Sequence, residues 1–518
     1  MTAAEILKAV RSFPNGSAGG IDGLRPQHLK DLTCAAAGEV TARLLERLTA
    51  VAYLMLGGNF PLEVCEILYG ACLTALRKKD GGTRPIAVGN TIRRLAYKVV
   101  GTRVVERMAA LFRPAQLGYG TRGGAEAAVH AARACVSAAG ETRVMLKLDF
   151  RNAFNTLRRD KVLQSVKTHL PDYFPFIFQM YRHSSHLFFG DFLIASACGV
   201  QQGDPLGPLL FCLVTRELTS SLKSPLNAWF LDDGTLIGSV DSVLQDLTIV
   251  RESGIDLGLE LNPEKCEAFV TGGDSATRAE VLLQVRTAIP EVCFPSREEL
   301  RLLGAPLFPE AIAAVMDEKT AAIHLLTTRL AEIQAHQALY ILRNCLAAPE
   351  ILYILRSSPS WLCADKLLEF DSMIRSSLAA VTNTAMTDSV WRQATLPVAR
   401  GGLGIRRTEE IAIPAFLASV FFVKGLLFMI NPAMGIAAIT AKPTRQWAAV
   451  TLQPLPVNQT VQKLWDLPVV EFIFQGMITN APLEEKARLM AVAQKESGAW
   501  LNALPTANLG LLMDDDCL

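Results

Sequence analysis

The sequence predicts a protein of the α+β class, in which short β-hairpins alternate with amphipathic helices. Two patterns of strand, turn and strand occupy residues 72–89 and 228–239, and a buried strand is predicted at 144–148. Helical spacing of apolar residues dominates residues 318–356.

Length and composition indicate a folded intracellular protein. A chain of 518 residues exceeds one ordinary core, so about three packed units are expected. Apolar residues make up 50% of the chain and charged residues 19%, which excludes a disordered protein. The 11 cysteines form no CxxC pair and no signal-peptide pattern opens the sequence, which is typical of a reducing compartment. His183 and His186 lack the context of a zinc site.

Charge is distributed unevenly along the chain. The net charge is +1, but residues 71–161 contain 18 Lys and Arg against 6 Asp and Glu, which gives a local charge of +12. The remainder therefore carries −11. A single basic block indicates a region that meets phosphate groups, and a plain solvated basic face is the alternative.

The first predicted elements are a helix at residues 1–12, a glycine-rich loop, a second helical stretch and the hairpin at 72–89. An Asp-Gly-Gly turn reverses the chain in this hairpin. Lys78, Lys79 and Arg84 flank the turn, so their charges can converge on an anion such as a triphosphate.

A basic helix and a glycine-rich loop follow the hairpin. The helix is predicted to turn its apolar residues inward and its basic residues outward. These basic residues are Arg93, Arg94, Lys98, Arg103 and Arg107. The loop at 114–124 does not match the GxGxxG fingerprint, so a Rossmann dinucleotide site is not expected.

Three acidic residues follow strand-like runs. Asp149 ends the strand at 144–148, where a carboxylate costs free energy unless it is paired or binds a cation. The alternative is that it caps the next helix. Asp232 and Asp233 are predicted at the tip of the hairpin at 228–239, where an ordinary turn is the alternative.

The segments around this second hairpin have recognisable local signals. Residues 199–214 predict a turn that feeds an apolar helix, with Asp204 as its N-cap. After the hairpin, a helix at 241–258 leads to a loop that carries Lys265 into a strand. Residues 301–307, RLLGAPL, predict a short strand and turn.

The C-terminal part of the chain is predicted to be helical. Five aliphatic side chains at near-helical spacing are assigned to a core: Leu326, Leu330, Ile333, Leu339 and Leu342. Pro414 and Lys424 interrupt the apolar stretch that begins at 411–423, so a buried helix pair is favoured over a membrane span. Residues 421–518 carry no motif that indicates a role.

Nucleotidyl transfer is the chemistry that accounts for the acidic residues and the basic hairpin together. If folding brings Asp149 beside Asp232 and Asp233, their carboxylates repel, so a divalent cation between them is expected. Two metal ions about 4 Å apart can activate a nucleophilic oxygen and stabilise a leaving phosphate. Lysines and arginines near them would bind a triphosphate.

The order of these motifs resembles reverse transcriptases of non-long-terminal-repeat (LINE-like) retrotransposons, from about residue 60 to 310. The resemblance is carried by VMLKLDFRNAF, QQGDPLGPLLF and FLDD, with TRPIAV before them and RLLGAPL after them. It implies a right-handed polymerase fold with fingers, a palm built on an antiparallel sheet and a helical thumb. The implied segments are an N-terminal helical extension (1–59), fingers and palm (60–310), thumb or connection (311–420) and a C-terminal region of unknown role (421–518).

The resemblance also implies roles for individual residues. Asp149, Asp232 and Asp233 would bind two Mg²⁺ ions, for which Mn²⁺ can substitute. Lys265 would act as a general acid near the leaving pyrophosphate, and Phe154 would be the steric gate against a ribose 2′-hydroxyl. The implied nucleotide-binding residues are Lys78, Lys79, Arg84, Phe150, Phe154, Gln202 and Gly203.

An RNA-directed DNA polymerase is therefore expected, with an RNA template, a DNA primer and deoxynucleoside triphosphates as partners, and with no membrane. The alternatives are a catalytically silent, retroelement-derived nucleic-acid-binding protein and an RNA-templated RNA polymerase, which the bulky Phe154 disfavours. Phe230 stands where the family often has Tyr. No endonuclease, cysteine–histidine knuckle or ribonuclease H pattern is recognised in the sequence.

Overall fold

The computed structural model describes residues 1–78, 81–138 and 140–515. The chain folds into two compact units, whereas its length predicts about three. The first unit comprises Met1–Arg122 and Gly140–Cys293, and the second comprises Gly123–Ala139 and Phe294–Leu518. The segment boundaries implied near residues 60, 311 and 421 divide the chain differently and stay predictions.

The strands form three sheets in all, within the part of the chain that the structure describes. Their bounds are β1 (Ala71–Arg77), β2 (Thr83–Gly89), β3 (Arg143–Leu148), β4 (Ser185–Phe189), β5 (Phe192–Ser196), β6 (Leu226–Phe230), β7 (Asp233–Gly238), β8 (Glu267–Thr271), β9 (Arg301–Leu302) and β10 (Ala305–Pro306). The last two form a small antiparallel pair in the second unit, as predicted for RLLGAPL.

The central sheet has the strand order β6-β7-β3-β8, and all of its neighbours are antiparallel. Its apolar strand residues are buried: Val144, Leu146 and Leu236 are 0% exposed. Burial on both faces explains why β3 is almost continuously apolar. The predicted strand at 144–148 and hairpin at 228–239 are confirmed.

The outer sheet has the order β2-β1-β4-β5 and also belongs to the first unit. The β1–β2 hairpin pairs Arg77 with Thr83 and Leu76 with Arg84, as the Asp-Gly-Gly turn predicts. Strand β1 is parallel to β4, while the other neighbours are antiparallel.

Helices pack around both sheets of the first unit. They are α1 (Ala3–Arg11), α2 (Pro26–Leu32), α3 (Gly38–Leu56), α4 (Leu62–Leu68), α5 (Thr91–Phe112), α7 (Ala153–Thr156), α8 (Arg159–His169), α9 (Phe174–Tyr181), α10 (Gly207–Ser221), α11 (Val240–Leu257) and α12 (Ser275–Ala288). The predicted helices at 1–12 and 241–258 correspond to α1 and α11. Residues 209–215 of α10 are all buried.

The second unit is helical apart from β9 and β10, within its described residues. Its helices are α6 (Gly124–Ser137), α13 (Pro309–Leu330), α14 (Ala335–Ile341), α15 (Ala348–Ser357), α16 (Ala364–Thr382), α17 (Asp388–Ala394), α18 (Thr408–Phe422), α19 (Lys424–Ile430), α20 (Ile436–Thr451), α21 (Gln462–Asn480) and α22 (Leu483–Val492), with a π-helical turn at Leu342–Leu346. The α+β class, the antiparallel central sheet and the helical C-terminal region are thus confirmed.

Part of the predicted helical core lies at the surface. Leu330, Leu339 and Leu342 are buried, but Leu326 is 38% and Ile333 is 40% exposed. Their assignment to the core was wrong: Leu326 lies on an exposed side of α13, and Ile333 lies between α13 and α14. The predicted continuous helical spacing is therefore broken at that point.

Two apolar stretches of the second unit have the length and composition of a membrane span: Ala335–Ser357 and the bent pair of α18 and α19. Helix α18 is packed inside the unit, where Ala412, Ala415 and Leu417 are 0% exposed. It joins one core with the residues of α13 to α16 and another with Trp447 and Trp465. This packing supports the predicted buried helix pair.

Candidate active site

Asp149 directly follows β3 at one end of the central sheet. Asn262 contacts it twice: its backbone N–H donates to the Asp149 carbonyl oxygen at 2.8 Å, and its Nδ2 donates to Asp149 Oδ1 at 3.2 Å. Helix α7 begins four residues later, with Asn152 at the N-cap position, so Asp149 does not cap it. The side chain is half-exposed. Asn262 was not identified from the sequence, although it lies three residues before Lys265.

Asp232 and Asp233 occupy the tip of the β6–β7 hairpin. Phe230 pairs with Asp233, which leaves Leu231 and Asp232 as the two turn residues. Leu231 has a φ of +59°, a left-handed conformation that costs an L-residue roughly 1–2 kcal/mol. Across β3 and β7, Leu148 pairs with Gly234. The end of β3 and the hairpin tip therefore lie side by side, so the structure brings the predicted acidic residues together.

The three carboxylates influence one another electrostatically. Burial raises the pKa of Asp232 above its ordinary value, and the charge of Asp149 raises it further. Asp233 is exposed at the tip, but partial desolvation by the surrounding protein, followed by repulsion from Asp232 and Asp149, raises its pKa to about 6. A cluster of this kind favours a cation that would offset its negative charge.

The donor set fits a hard divalent cation. Carboxylate oxygens are the ligands that Mg²⁺ and Ca²⁺ prefer, and the repulsion among Asp149, Asp232 and Asp233 is the cost that such an ion would remove. The side chains are not closed around a single point: among the described residues, no group of three or more His, Cys, Asp and Glu side chains is arranged to hold a metal ion. These residues therefore provide suitable donors in an open arrangement.

The basic hairpin lies within electrostatic reach of the carboxylates. Lys78 opens the β1–β2 turn, where its backbone N–H donates to Gly82 at 2.7 Å, and Arg84 is exposed on β2. The charges of Arg84 and Lys78 both oppose the rise in the Asp232 pKa. Lys79 lies outside the described residues. Lys265 is exposed at the end of a 3₁₀ turn, two residues before β8.

The ring of Phe154 is held against α10. It stacks on Phe211 with a centroid separation of 4.8 Å and an interplanar angle of 17°. The Phe154 carbonyl accepts from Val200 N–H at 2.7 Å, which ties it to the turn before α10. The side chain is half-buried, so part of the ring is available to a bound molecule.

Phe150 differs from the role implied for it. Its side chain is 6% exposed and its ring stacks on Trp229 at a centroid distance of 6.1 Å. Residues Phe150 and Leu261 also form a bridge between the chain segments that follow β3 and precede β8. Because its ring is buried against Trp229, Phe150 is a packing residue beneath the hairpin.

Gln202 and Gly203 lie against β2. The carbonyl of Gln202 accepts from Ala87 N–H at 2.7 Å. Gly203 has a φ of +107°, and a Cβ there would meet the Ala87 carbonyl oxygen at 3.0 Å, so glycine is required. A cavity of about 250 Å³ opens beside Gln202 and is lined by Leu73, Pro85 and Asn155, among others. The turn and the outer sheet therefore form one surface.

A buried ionic network supports this turn, and no local pattern in the sequence predicts it. Arg93 was predicted to face outward, but it is 0% exposed. Its guanidinium donates to the Gly70 carbonyl at 3.0 Å and to Gln201 Oε1 at 2.8 Å, and it lies 3.4 Å from Asp204. Helical periodicity gave no signal for this, since the partners are distant in sequence.

Asp204 also departs from its predicted role as an N-cap. Helix α10 begins at Gly207 with Leu206 at the N-cap position, and Asp204 Oδ1 accepts from Leu206 N–H at 2.9 Å in the preceding turn. Burial raises the pKa of Asp204 to about 6, while Arg93 opposes the rise. Its carboxylate faces inward because Arg93 occupies the core.

Comparison with known proteins identifies a family match over part of the chain. Residues 76–307 match the family described as reverse transcriptase (RNA-dependent DNA polymerase). This range includes the whole central sheet, the outer sheet from the end of β1 onward and every predicted site residue.

Two curated relatives come from retrotransposable elements. The chain is 26% identical over 431 residues to the retrotransposable element SLACS 132 kDa protein of Trypanosoma brucei gambiense, a match that covers 79% of this chain and 34% of that protein. It is 25% identical over 171 residues to the Pol polyprotein of the type-1 retrotransposable element R2 of Popillia japonica, covering 27% of each. The chain thus spans about a third of the length of the first relative.

Solved structures of telomerase are also similar. The telomerase of Candida albicans in complex with a fragment of telomeric RNA matches 74% of this chain and 66% of its own, with a TM-score of 0.39 and 8% identity. The apo telomerase of Candida tropicalis matches 40% of this chain and 51% of its own, with a TM-score of 0.31 and 12% identity.

Proposed function

Because the chain carries a reverse transcriptase domain of the non-long-terminal-repeat retrotransposon kind, we propose that it is an RNA-directed DNA polymerase. It would extend a DNA primer on an RNA template with deoxynucleoside triphosphates. The proposal covers polymerisation alone, since the chain spans about a third of the length of its first relative.

The observation that carries this proposal is the meeting of Asp149 with Asp232 and Asp233 at one end of the central sheet. Strand pairing between β3 and β7 aligns the two segments, and the coupled rise in the pKa values of Asp232 and Asp233 reflects their proximity. An ordinary turn would not need acidic residues from a second strand beside it. The basic hairpin then supplies the opposite charge.

Reverse transcriptases use divalent metal ions, and we propose two Mg²⁺ ions here, with Mn²⁺ as a substitute. Asp149, Asp232 and Asp233 would hold them. When bound, such ions lower the pKa of the attacking hydroxyl and offset the charge on the departing phosphate. Asn262 keeps the Asp149 carboxylate oriented through the contact from its Nδ2 to Oδ1.

The remaining site residues would bind the incoming nucleotide. Arg84 and Lys78 would contact the triphosphate, because their charges already act on Asp232. Phe154, fixed by Phe211, would collide with a 2′-hydroxyl. Gln202 and Gly203 would line the pocket for the template base and nucleotide, as their contact with Ala87 supports.

Lys265 would donate a proton to the departing pyrophosphate. The proposed location is intracellular, because the cysteines of the sequence form no CxxC pair or evenly spaced framework. The second candidate is a catalytically silent nucleic-acid-binding protein. The basic block at 71–161 favours it, because these charges could bind nucleic acid without any catalysis.

Primer extension tests the proposal. The substrate is oligo(dT) annealed to poly(rA), with dTTP and Mg²⁺ or Mn²⁺, and the native chain is compared with Asp232→Ala. Asp172→Ala, an exposed aspartate on the surface of the first unit, is the matched control. We expect extension by the native chain and the control, and none by Asp232→Ala. No extension by the native chain, with retained salt-sensitive binding of the duplex, would favour the silent binding protein.

A further inference from the structure

Gln116 makes an unusual set of contacts with the hairpin tip. It lies in the loop after α5 and is 1% exposed. Its Oε1 accepts from the N–H groups of Leu231 at 2.8 Å and Gly118 at 2.9 Å, and its Nε2 donates to the Leu231 carbonyl at 2.9 Å. One side chain therefore satisfies both backbone polar groups of Leu231, the residue before Asp232.

The segment around Gln116 covers the edge of the central sheet. Strand β6 is an edge strand, and residues 115–117 run parallel to its end. Trp229 N–H donates to the Ala115 carbonyl and Leu117 N–H donates to the Trp229 carbonyl, both at 2.7 Å. These backbone bonds do not involve the side chain of Gln116, so they hold the loop in place independently of it.

The approach of the two segments is close. A Cβ at Gly118 would lie 2.5 Å from the Leu231 nitrogen and 2.9 Å from its Cγ. Leu231 itself has a left-handed backbone, with a φ of +59°. An aliphatic residue does not hold this conformation by its own preference, so it persists where the surroundings fix it. The contacts with Gln116 provide that constraint.

We propose that Gln116 is a positioning residue of the site: it fixes the left-handed Leu231 and thereby aims the Asp232 carboxylate at its cation. Gln116 itself touches no substrate. The backbone direction at Leu231 sets where the side chain of Asp232 points. A polar group that orients a metal ligand in this way changes the affinity for the metal without being a ligand itself. This inference rests on the proposed function, because it assumes that Asp232 is a metal ligand.

The test compares Gln116→Leu with Gln179→Leu. Gln179 is also a buried glutamine of the first unit. Its Nε2 donates to the carbonyls of Gly58 and Phe60, and its Oε1 accepts from the Tyr69 hydroxyl. Each variant thus loses three hydrogen bonds of one buried amide, but only the first loses them at the hairpin. Backbone hydrogen exchange of the peptide covering residues 226–238 and Mn²⁺ affinity are measured in the absence of nucleotide.

We expect Gln116→Leu to raise exchange at the hairpin tip and to weaken Mn²⁺ binding about tenfold or more, while Gln179→Leu changes neither. In primer extension, kcat should fall and the KM for template–primer should stay the same. Unchanged exchange in Gln116→Leu, or equal effects of both variants, would overturn the positioning role. If the native chain binds no Mn²⁺, the proposed function fails, and the exchange result alone decides whether Gln116 fixes the tip.

Discussion

The guanidinium of Arg93 and the carboxylate of Asp204 form an ion pair at 3.4 Å, and each side chain is 1% exposed. The pair joins α5 to the turn before α10. Gln201, which accepts from the same guanidinium, is followed by Gln202 and Gly203 at the candidate nucleotide site. Because Gln201 and Asp204 both contact Arg93, the buried pair holds the turn between them. That turn carries Gln202 and Gly203, the residues of the surface that would meet the nucleotide.

Removal of Arg93 should destabilise the first unit strongly. Arg93→Met leaves the Asp204 carboxylate buried without its partner, which costs about 3–5 kcal/mol. The double variant with Asp204→Asn should recover part of this loss, because no unpaired charge remains. Urea denaturation monitored by tryptophan fluorescence measures both. A single variant as stable as the parent would show that the pair contributes nothing.

Phe154→Ala should admit ribonucleotides. The ring that stacks on Phe211 would no longer occupy the space of a 2′-hydroxyl, so the preference for dTTP over UTP in kcat/KM should fall by about tenfold or more. Phe178→Ala, at an exposed phenylalanine of α9, is the control. If the preference is the same in the parent and Phe154→Ala, Phe154 is not the gate.

Arg84→Ala should weaken nucleotide binding. The exposed guanidinium would otherwise form charge-assisted hydrogen bonds with the triphosphate, so its loss should raise the KM for dTTP by about tenfold. The effect should diminish at high salt, because exposed charges are screened. Arg43→Ala, on α3, should leave the KM unchanged. An equal KM in both variants would remove Arg84 from the nucleotide site.

The second unit should lose stability as the pH rises towards neutrality. Burial raises the pKa of Glu410 from 4.5 to about 7, although Arg406 and Arg407 oppose the rise. Since the folded state holds this proton more tightly than the unfolded state, the free energy of unfolding falls as the pH rises across this window. Nearby Asp371 and Asp466, whose pKa values are also raised by burial, act in the same direction.

Glu410→Gln lacks this titration. Between pH 5 and pH 8 the free energy of unfolding of Glu410→Gln, relative to that of the parent, should therefore increase. The expected increase is roughly 3 kcal/mol, because each unit of pKa shift corresponds to about 1.36 kcal/mol. Denaturation series at several pH values measure the difference. Glu409→Gln, at the exposed neighbouring residue, is measured beside it for comparison. A pH-independent difference for Glu410→Gln would contradict the assignment of the proton to that carboxyl.

Much of the site could be predicted because its signals are local. Alternating apolar residues and an Asp-Asp-Gly turn specify the β6–β7 hairpin, and an apolar run ending in Asp149 specifies β3. The resemblance supplied the pairing of these two segments, which local pattern alone does not contain. Residues 76–307 match the reverse transcriptase family, in agreement with the resemblance over that range.

The missed features depend on contacts between residues distant in sequence. Arg93 is buried because Gln201 and Asp204 lie beside it, more than 100 residues further along the chain, and no periodicity of α5 contains that information. Gln116 appeared as part of a glycine-rich loop, and its partner Leu231 is 115 residues away. Phe150 was assigned to the nucleotide from its motif, but Trp229 places it in the core.

Single-turnover primer extension on RNA with Asp149→Asn, Asp232→Asn and the double variant is the most direct measurement of the central claim. If the two carboxylates hold the same metal ions, each single variant should lose nearly as much rate as the double variant, because groups that act as a unit are not additive. The rate losses of the two single variants could instead multiply to give the loss of the double variant, or either single variant could keep full activity. Each of these results would contradict a shared catalytic centre at the junction of β3 and the hairpin.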